Sequence, residues 1–152
     1  GFIFPEPSNH TFTVRDALGR AAISHLPKQG RYLTHSENKY IESYEEKCKL
    51  RTPRDLHLDQ PARTLTCRNL AGSTADMLRL AMPDGRRRKL RISEAARLQA
   101  FPDWFKFSGS RTKSFYQIGQ SVPPLFSYQL ALSVKKYLEE DSVPKLKLIV
   151  ES

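Results

Sequence analysis

Residues 84–124, DGRRRKLRISEAARLQAFPDWFKFSGSRTKSFYQIGQSVPP, carry three physical signals in a row. A turn at Pro83, Asp84 and Gly85 opens into a basic cluster of Arg86, Arg87, Arg88, Lys89 and Arg91. A short helix follows over SEAARLQAF. Ala95, Ala96, Arg97, Leu98 and Gln99 are good helix formers, and Glu94 stands in the first turn, where the macrodipole favours an anion. Pro102 stops the helix and pushes Phe101 out of helical dihedrals. Ala95, Leu98 and Phe101 recur every third residue, so with Leu90 and Ile92 they offer one apolar face to a core. Arg91, Glu94 and Arg97 make a charged stripe beside it, and such a stripe is ordinarily a solvated face. A loop through Gly119 then leads to a second predicted helix, entered at Pro123 and Pro124, whose rings suit a first turn.

Upstream, Thr64 to Thr66 read as a strand, Asn69 to Ser73 as a loop and Met77 to Ala81 as a second strand, which makes the class α+β. From Lys28 to Gln60 the chain is polar and of mixed charge, a surface segment in which Tyr40, Ile41, Tyr44 and Cys48 share one face of a short helix. Val14, Ala17, Leu18 and Ala21 are helically spaced; Gly19 weakens that helix, and Asn9, Thr11 or Thr13 is placed to cap it. Residues 1–10, with two prolines, read as an extended arm. Beyond Pro124, Leu125, Tyr128 and Leu132 line one side of the helix, with Phe126, Leu130, Val134 and Tyr137 on the other. That girth calls for burial on more than one side. Leu146 to Val150 suit a terminal strand or a tail equally.

A formal charge of +9 and a pI near 9.8 point to a polyanionic partner, nucleic acid first. No apolar run approaches the roughly 18–20 residues of a spanning helix, and the amino terminus has no secretory pattern. Cys48 and Cys67 form neither a disulfide framework nor a metal site, since zinc ligands come in close Cys or His pairs. His35 and His57 stand alone and read as ordinary surface histidines. A reduced, cytoplasmic setting without metal is the expectation.

RKLRISEAARLQAFPDWFKF followed by SFYQIGQSVPP resembles the last two motifs, IX and X, of the DNA cytosine-5 methyltransferases. PARTLTCRNLAGSTADMLRL resembles the part of their target-recognition domain that carries a Thr-Leu dipeptide, here Thr64-Leu65. These segments keep the family's order and cover about half of the chain. TVRDAL with Leu26-Pro27 resembles, more loosely, the exit from the catalytic domain. The resemblance implies a connecting arm over residues 1–27, a target-recognition domain over 28–110, and a return to the catalytic domain over 111–152. The last helix is then expected to pack on a Rossmann-like α/β domain.

The family's reaction moves a methyl group from S-adenosylmethionine to C5 of a flipped cytosine in a specific duplex sequence, as in restriction-modification systems. It needs a thiolate to attack C6 and a carboxyl group at N3. Family members carry these in a Pro-Cys motif, a Glu-Asn-Val motif and a glycine-rich loop. None of these occurs in this sequence, and neither Cys48 nor Cys67 follows a proline. No catalytic residue is therefore expected in this chain. A partner bearing the catalytic Cys is expected instead, whether the chain is a natural split subunit or a fragment of a longer enzyme.

By resemblance Thr64, Thr66, Arg68, Asn69 and Gly72 enter the major groove. Arg68 suits guanine, Asn69 suits adenine and the threonine hydroxyls suit phosphate oxygens; a polar hairpin loop that reads no base is the alternative. Arg63, Arg79, Arg86, Arg87 and Arg88 are the phosphate candidates. Glu94 and Arg97 match organising residues of motif IX. Relatives commonly place Thr where Arg91 stands, so the usual cap is missing. Gln120, Ser121 and Val122 match the S-adenosylmethionine-lining motif X, with Gln120 replacing Asn; a helix-entry turn around Gly119 is the plain alternative. A stand-alone sequence-specific DNA-binding module, or charge-driven binding with no sequence ratio, are the competing functions.

Overall fold

The computed structural model describes residues 2–24, 26, 28, 30–49, 54–72 and 75–150, without the side chains of 140–150. Two compact units are present, Thr11–Ser121, and Gly1–His10 together with Val122–Ser152. The expected boundaries at 27/28 and 110/111 both fall inside the first unit.

In that unit α1 (Val14–Leu18) starts on a capping box, with Thr13 Oγ1 accepting from Asp16 N–H and the Asp16 carboxylate accepting from Thr13 N–H at 2.7 Å. Gly19 ends α1 at φ 72°, and a 3₁₀ turn over Arg20–Ile23 follows. The second helix, α2 (His35–Lys47), opens on a Thr34–Glu37 box. Of the face expected there only Ile41 is buried, against Leu33 and Met77, while Tyr40 is exposed.

Residues 64–66 are not a strand. Thr66 caps a third helix, α3 (Cys67–Ala71), which takes in Asn69 to Ala71 of the expected loop; the last residue of that loop, Ser73, lies outside the described residues. The cause is local: Thr66 Oγ1 accepts from Asn69 N–H, and Asn69 Oδ1 accepts from Thr66 N–H at 2.9 Å. The box uses Asn where Glu or Gln is usual, which hid it.

The sheet is a hairpin. β1 (Arg79–Ala81) pairs antiparallel with β2 (Arg87–Lys89) in the register Arg79–Lys89, Leu80–Arg88 and Ala81–Arg87. The turn closes through Met82 N–H to Arg86 O at 2.9 Å, with Gly85 at φ 80°. Backbone bridges from Tyr32 to Arg88 and from Leu56 to Leu80 flank it on either side. The expected strand at Met77–Ala81 is thus shorter. Its partner, Arg-Arg-Lys, lacks the apolar alternation by which a strand is read.

The next helix, α4 (Ile92–Leu98), lies in the expected stretch but ends at Leu98, three residues short of Phe101. Its end is a Schellman turn: Phe101 N–H reaches Ala96 O and Ala100 N–H reaches Arg97 O, each at 2.9 Å, with Ala100 at φ 60°. A side chain at that dihedral costs about 1–2 kcal/mol. Ala100→Gly is therefore expected to raise stability by about 0.5–1 kcal/mol, after the extra unfolded-state freedom of glycine is subtracted. Chemical denaturation of the two proteins side by side checks this, and a lower midpoint for the variant would contradict it.

A fifth helix, α5 (Arg111–Gln120), corrects the expected loop through Gly119. Ser110 caps it, Phe115 and Ile118 are buried, and Gly119 lies inside it rather than at a turn. One core holds the unit together: Val14 and Leu18 of α1, Leu80 of β1, Ala95 of α4, and Phe115 and Ile118 of α5 meet Leu56, Leu65 and Leu90. With helices packed beside one small antiparallel sheet, the class is α+β.

The other unit is built on α6 (Pro124–Val150), entered at the expected proline pair. It runs through Leu146–Val150, so that stretch is neither strand nor tail. The helix formers of Lys135 to Glu140 contain no breaker and carry it forward. Leu125, Phe126, Tyr128 and Leu138 are 56–67% exposed.

Candidate nucleic-acid interface

Thr64 and Arg68 face outward, while Leu65 between them is buried in the core. Asn69 is 3% exposed. Its Oδ1 takes the Thr66 N–H and its Nδ2 donates to Thr64 O at 2.9 Å, so the amide that suits adenine is already committed. Its backbone carbonyl accepts from Leu78 N–H at 2.8 Å, tying α3 to the strand side of the core. Gly72 closes α3 at an ordinary φ of −74°, with its N–H on Arg68 O. Thr66 and Asn69 thus shape the segment that presents Thr64 and Arg68.

Most of the arginines expected at phosphates are turned inward. Arg88 is fully buried: it forks onto Glu94 at 2.9 and 2.7 Å and donates to Ala22 O at 2.8 Å. Arg79 is also fully buried, paired with Asp55, with Glu45 at 2.6 Å, and with the carbonyls of Ala75 and Met77. Arg87 shares the same two carboxylates, 2.9 Å from Asp55 and 3.5 Å from Glu45. Arg63 and Arg54 both reach Asp76. Arg79, Arg87 and Arg88 cannot turn to a phosphate without stranding the buried carboxylate of Asp55 or Glu94. Only Arg86 is well exposed; it lies over the Tyr32 ring at 3.8 Å from its centroid and on Asp84. The sequence showed this basic cluster but not its partners, since Glu45 and Asp55 are far away along the chain.

Glu94, 3% exposed, is the hub of the motif IX stretch. Burial is the largest influence on its carboxyl and pushes its pKa up. The Arg88 hydrogen bonds, the Arg91 amide and the charges of Arg88 and Arg91 together outweigh burial, so the group is held below the usual carboxylate range. The Arg91 amide bond, N–H to Glu94 Oε2 at 2.8 Å, is the surviving half of a capping box whose other half a Thr would make. Arg97 instead forks onto Asp103 with both contacts at 2.7 Å, an exposed clamp across the Pro102 turn. That hydrogen-bonded pairing lowers the Asp103 pKa and raises that of Arg97.

Gln120 is exposed, and so is Val122. Ser121 Oγ donates to Ile118 O at 2.7 Å, and Ser121 O accepts from Gln99 Nε2 at 2.9 Å. The three residues straddle the limit between units, which falls between Ser121 and Val122. Within the first unit α5 lies hard against α3: a Cβ on Gly119 would sit 2.2 Å from Cys67 N. The segment bearing Arg68 and the helix bearing Gln120 thus form one block.

Sequence reasoning did not foresee the aromatic knot of Phe101, Phe105 and Phe107, whose ring centroids lie 4.9–5.1 Å apart. Phe-x-x-x-Phe-x-Phe across a proline has no helical or strand period to announce it. Trp104 beside it is 75% exposed. Both cysteines are free, Cys48 exposed and Cys67 half-buried. Among the described residues no three His, Cys, Asp or Glu gather as a metal would require. No helix among them is long and apolar enough to cross a membrane.

The family model for the C-5 cytosine-specific DNA methylases matches residues 7–136. Type II methyltransferase M.AplI of Arthrospira platensis is 55% identical over 128 residues, which are 84% of this chain and 37% of that protein. Type II methyltransferase M.Bpa9945I of Bacillus paralicheniformis is 52% identical over 48 residues, 32% of this chain and 11% of its own. Type II methyltransferase M.AgeI of Thalassovita gelatinovora is 37% identical over 82 residues, 54% of this chain and 18% of its own. The chain thus spans little more than a third of the length of M.AplI and less of the other two. The core that buries Leu65 beside outward Arg68, the Arg88–Glu94 pair and the α3–α5 block all lie within the matched residues, and the chain belongs to the family of C-5 cytosine-specific DNA methylases.

Proposed function

We propose that this chain is the DNA-recognition part of a DNA cytosine-5 methyltransferase of a restriction-modification system, inactive without the polypeptide that carries the catalytic Cys. The observation that carries this reading is α6. Leu125 at 67%, Tyr128 at 60% and Leu138 at 57% exposure leave an apolar helix uncovered, and a soluble protein covers such a surface with a partner. A Rossmann-like catalytic domain is the partner the family supplies. The stand-alone module, which needs no such cover, is disfavoured by the same helix.

In this reading residues 11–121 do the recognition, and residues 1–10 and 122–152 join the catalytic domain. Thr64, Arg68, Gly72 and Arg86 meet duplex DNA. Thr66, Asn69, Arg87 and Arg88 act from behind by fixing the segments that present them. Glu94 and Arg97 hold the motif IX helix to its surroundings. S-adenosylmethionine is the family's methyl donor; Gln120, Ser121 and Val122 match the family motif that lines its site, and the Gln120 amide is exposed to meet it. The Ser121 hydroxyl and carbonyl, both engaged within the chain, contribute position rather than contact. The setting is the cytoplasm, with DNA.

Methyl transfer from labelled S-adenosylmethionine to DNA is the test. The chain alone is expected to transfer nothing above background, and activity is expected on adding a polypeptide bearing the Pro-Cys, Glu-Asn-Val and glycine-rich motifs. Robust transfer by the isolated chain, or none from the reconstituted pair, would overturn the reading.

A further inference from the structure

Arg79, Arg87 and Arg88 of the hairpin are occupied by carboxylates, so positive charge for DNA beyond Arg68 and Arg86 has to come from elsewhere. Among the described residues Lys106 and Arg111 form no ion pair, and both line a cleft of about 430 Å³ between the start of α4 and the loop into α5. Arg91, Ser93, Phe105 and Phe107 line it as well. Arg111 is held in place, donating to Leu90 O at 2.8 Å and lying 4.8 Å from the Phe115 ring centroid, which leaves other N–H donors of its fork unspent. Arg91 Nε is buried and has no hydrogen-bond partner. The nearest carboxylate to Arg91, that of Glu94, is 3.5 Å away and already satisfied by Arg88. Asp103, the acid of the cleft, is clamped by Arg97.

We propose that this cleft holds a phosphodiester of the DNA backbone, with Arg91, Lys106 and Arg111 as its cationic donors. Three cations facing one neutralised acid suit an anion that offers several acceptor oxygens. A contact to a backbone phosphate carries no sequence information, so it anchors the duplex without reading it. The proposal rests on the recognition reading and adds to Arg86 a phosphate site at the start of α4 and the loop into α5, in place of the buried hairpin arginines.

The test is the salt dependence of DNA binding by the complete methyltransferase, in which this chain stands with its catalytic part, on a cognate and a non-cognate duplex. Each phosphate contact adds close to one to the slope of log affinity against log salt. Lys106→Ala and Arg91→Gln are each expected to lower that slope by about one and to weaken both duplexes by the same factor, severalfold at low salt. Lys106 is exposed and unpaired, so its removal leaves the fold intact. Lys47→Ala, on the exposed face of α2, should leave the slope unchanged. An unchanged slope in both cleft variants with normal cognate binding overturns the site alone, as does an equal fall in the Lys47 control. No DNA binding by the unsubstituted enzyme overturns the recognition reading and the site with it.

Discussion

Gly119→Ala is expected to destabilise the first unit by about 3 kcal/mol or more, enough to leave much of the protein unfolded at physiological temperature. The added methyl would stand 2.2 Å from Cys67 N, 2.4 Å from the Thr66 carbonyl carbon and 2.6 Å from Cys67 Cα. All three are backbone atoms at the start of α3, so no rotamer change relieves them. The helices must separate, and Leu65, Phe115 and Ile118 would lose packing as they do. Helix propensity acts the other way, since Ala in a helix is favoured over Gly by about 1 kcal/mol. The clash wins because it opens a core. Gly85→Ala is the contrasting control: its added methyl meets nothing within 4 Å, and only the φ of 80° opposes it, a cost of about 1–2 kcal/mol. Denaturant midpoints of the two variants decide the matter. If Gly119→Ala were as stable as the parent, the close approach of α3 and α5 would be wrong.

That glycine also shows where the sequence stops being legible. Near the end of SFYQIGQ, a glycine reads as the end of a helix or a special dihedral, yet here it is a point of contact with a segment some fifty residues earlier. Nothing local distinguishes the two. The helix α4 was legible, its end apart, because alanines, an acid in the first turn and a proline beyond the end agreed on it despite the missing cap at Arg91. Thr13 was among the caps foreseen, and Thr34 with Glu37 follows the ordinary box. Thr66 with Asn69 does not, and the helix it starts was read as strand and loop. β2 was illegible for another reason. A strand of three cations is held by Glu37, Glu45, Asp55 and Glu94, which meet it from separate places, and pairing over 6 to 52 residues leaves no period to read. The same blindness made Arg87 and Arg88 look free for phosphates. Thr64 and Arg68 are exposed, as the place at DNA that the resemblance implies for them requires, whereas the Arg91–Lys106–Arg111 cleft depends on a loop conformation that composition does not reveal.

Removing one member of the Arg88–Glu94 pair is expected to cost about 3–5 kcal/mol, the range for stranding a buried charge. Arg88 is fully buried and Glu94 3% exposed, and the fork between them joins β2 to α4, while Arg88 also reaches Ala22 O. The pH dependence of each variant separates loss of the charge pair from loss of packing. In the parent the folded-state pKa of Glu94 lies below its unfolded value. Its contribution to stability is therefore complete above the unfolded pKa and is lost as pH falls through the folded one. In Arg88→Met the burial that pushes the carboxyl up is opposed only by the Arg91 amide and the more distant Arg91 side chain. The folded pKa should then exceed the unfolded one, and the sign reverses: the variant binds a proton on folding and loses stability as pH rises from about 4 towards 7. Urea midpoints at the two ends of that window are the measurement. Arg88→Met should sit closest to the parent at the acid end and furthest at neutral pH, while the offset of Glu94→Gln, which has no proton to exchange, should change only by the part of the parent's own Glu94 contribution lost at the acid end. Equal offsets for Arg88→Met at acid and neutral pH would mean that Glu94 does not depend on Arg88 for its charge, and that shape rather than electrostatics holds the hairpin to the helix.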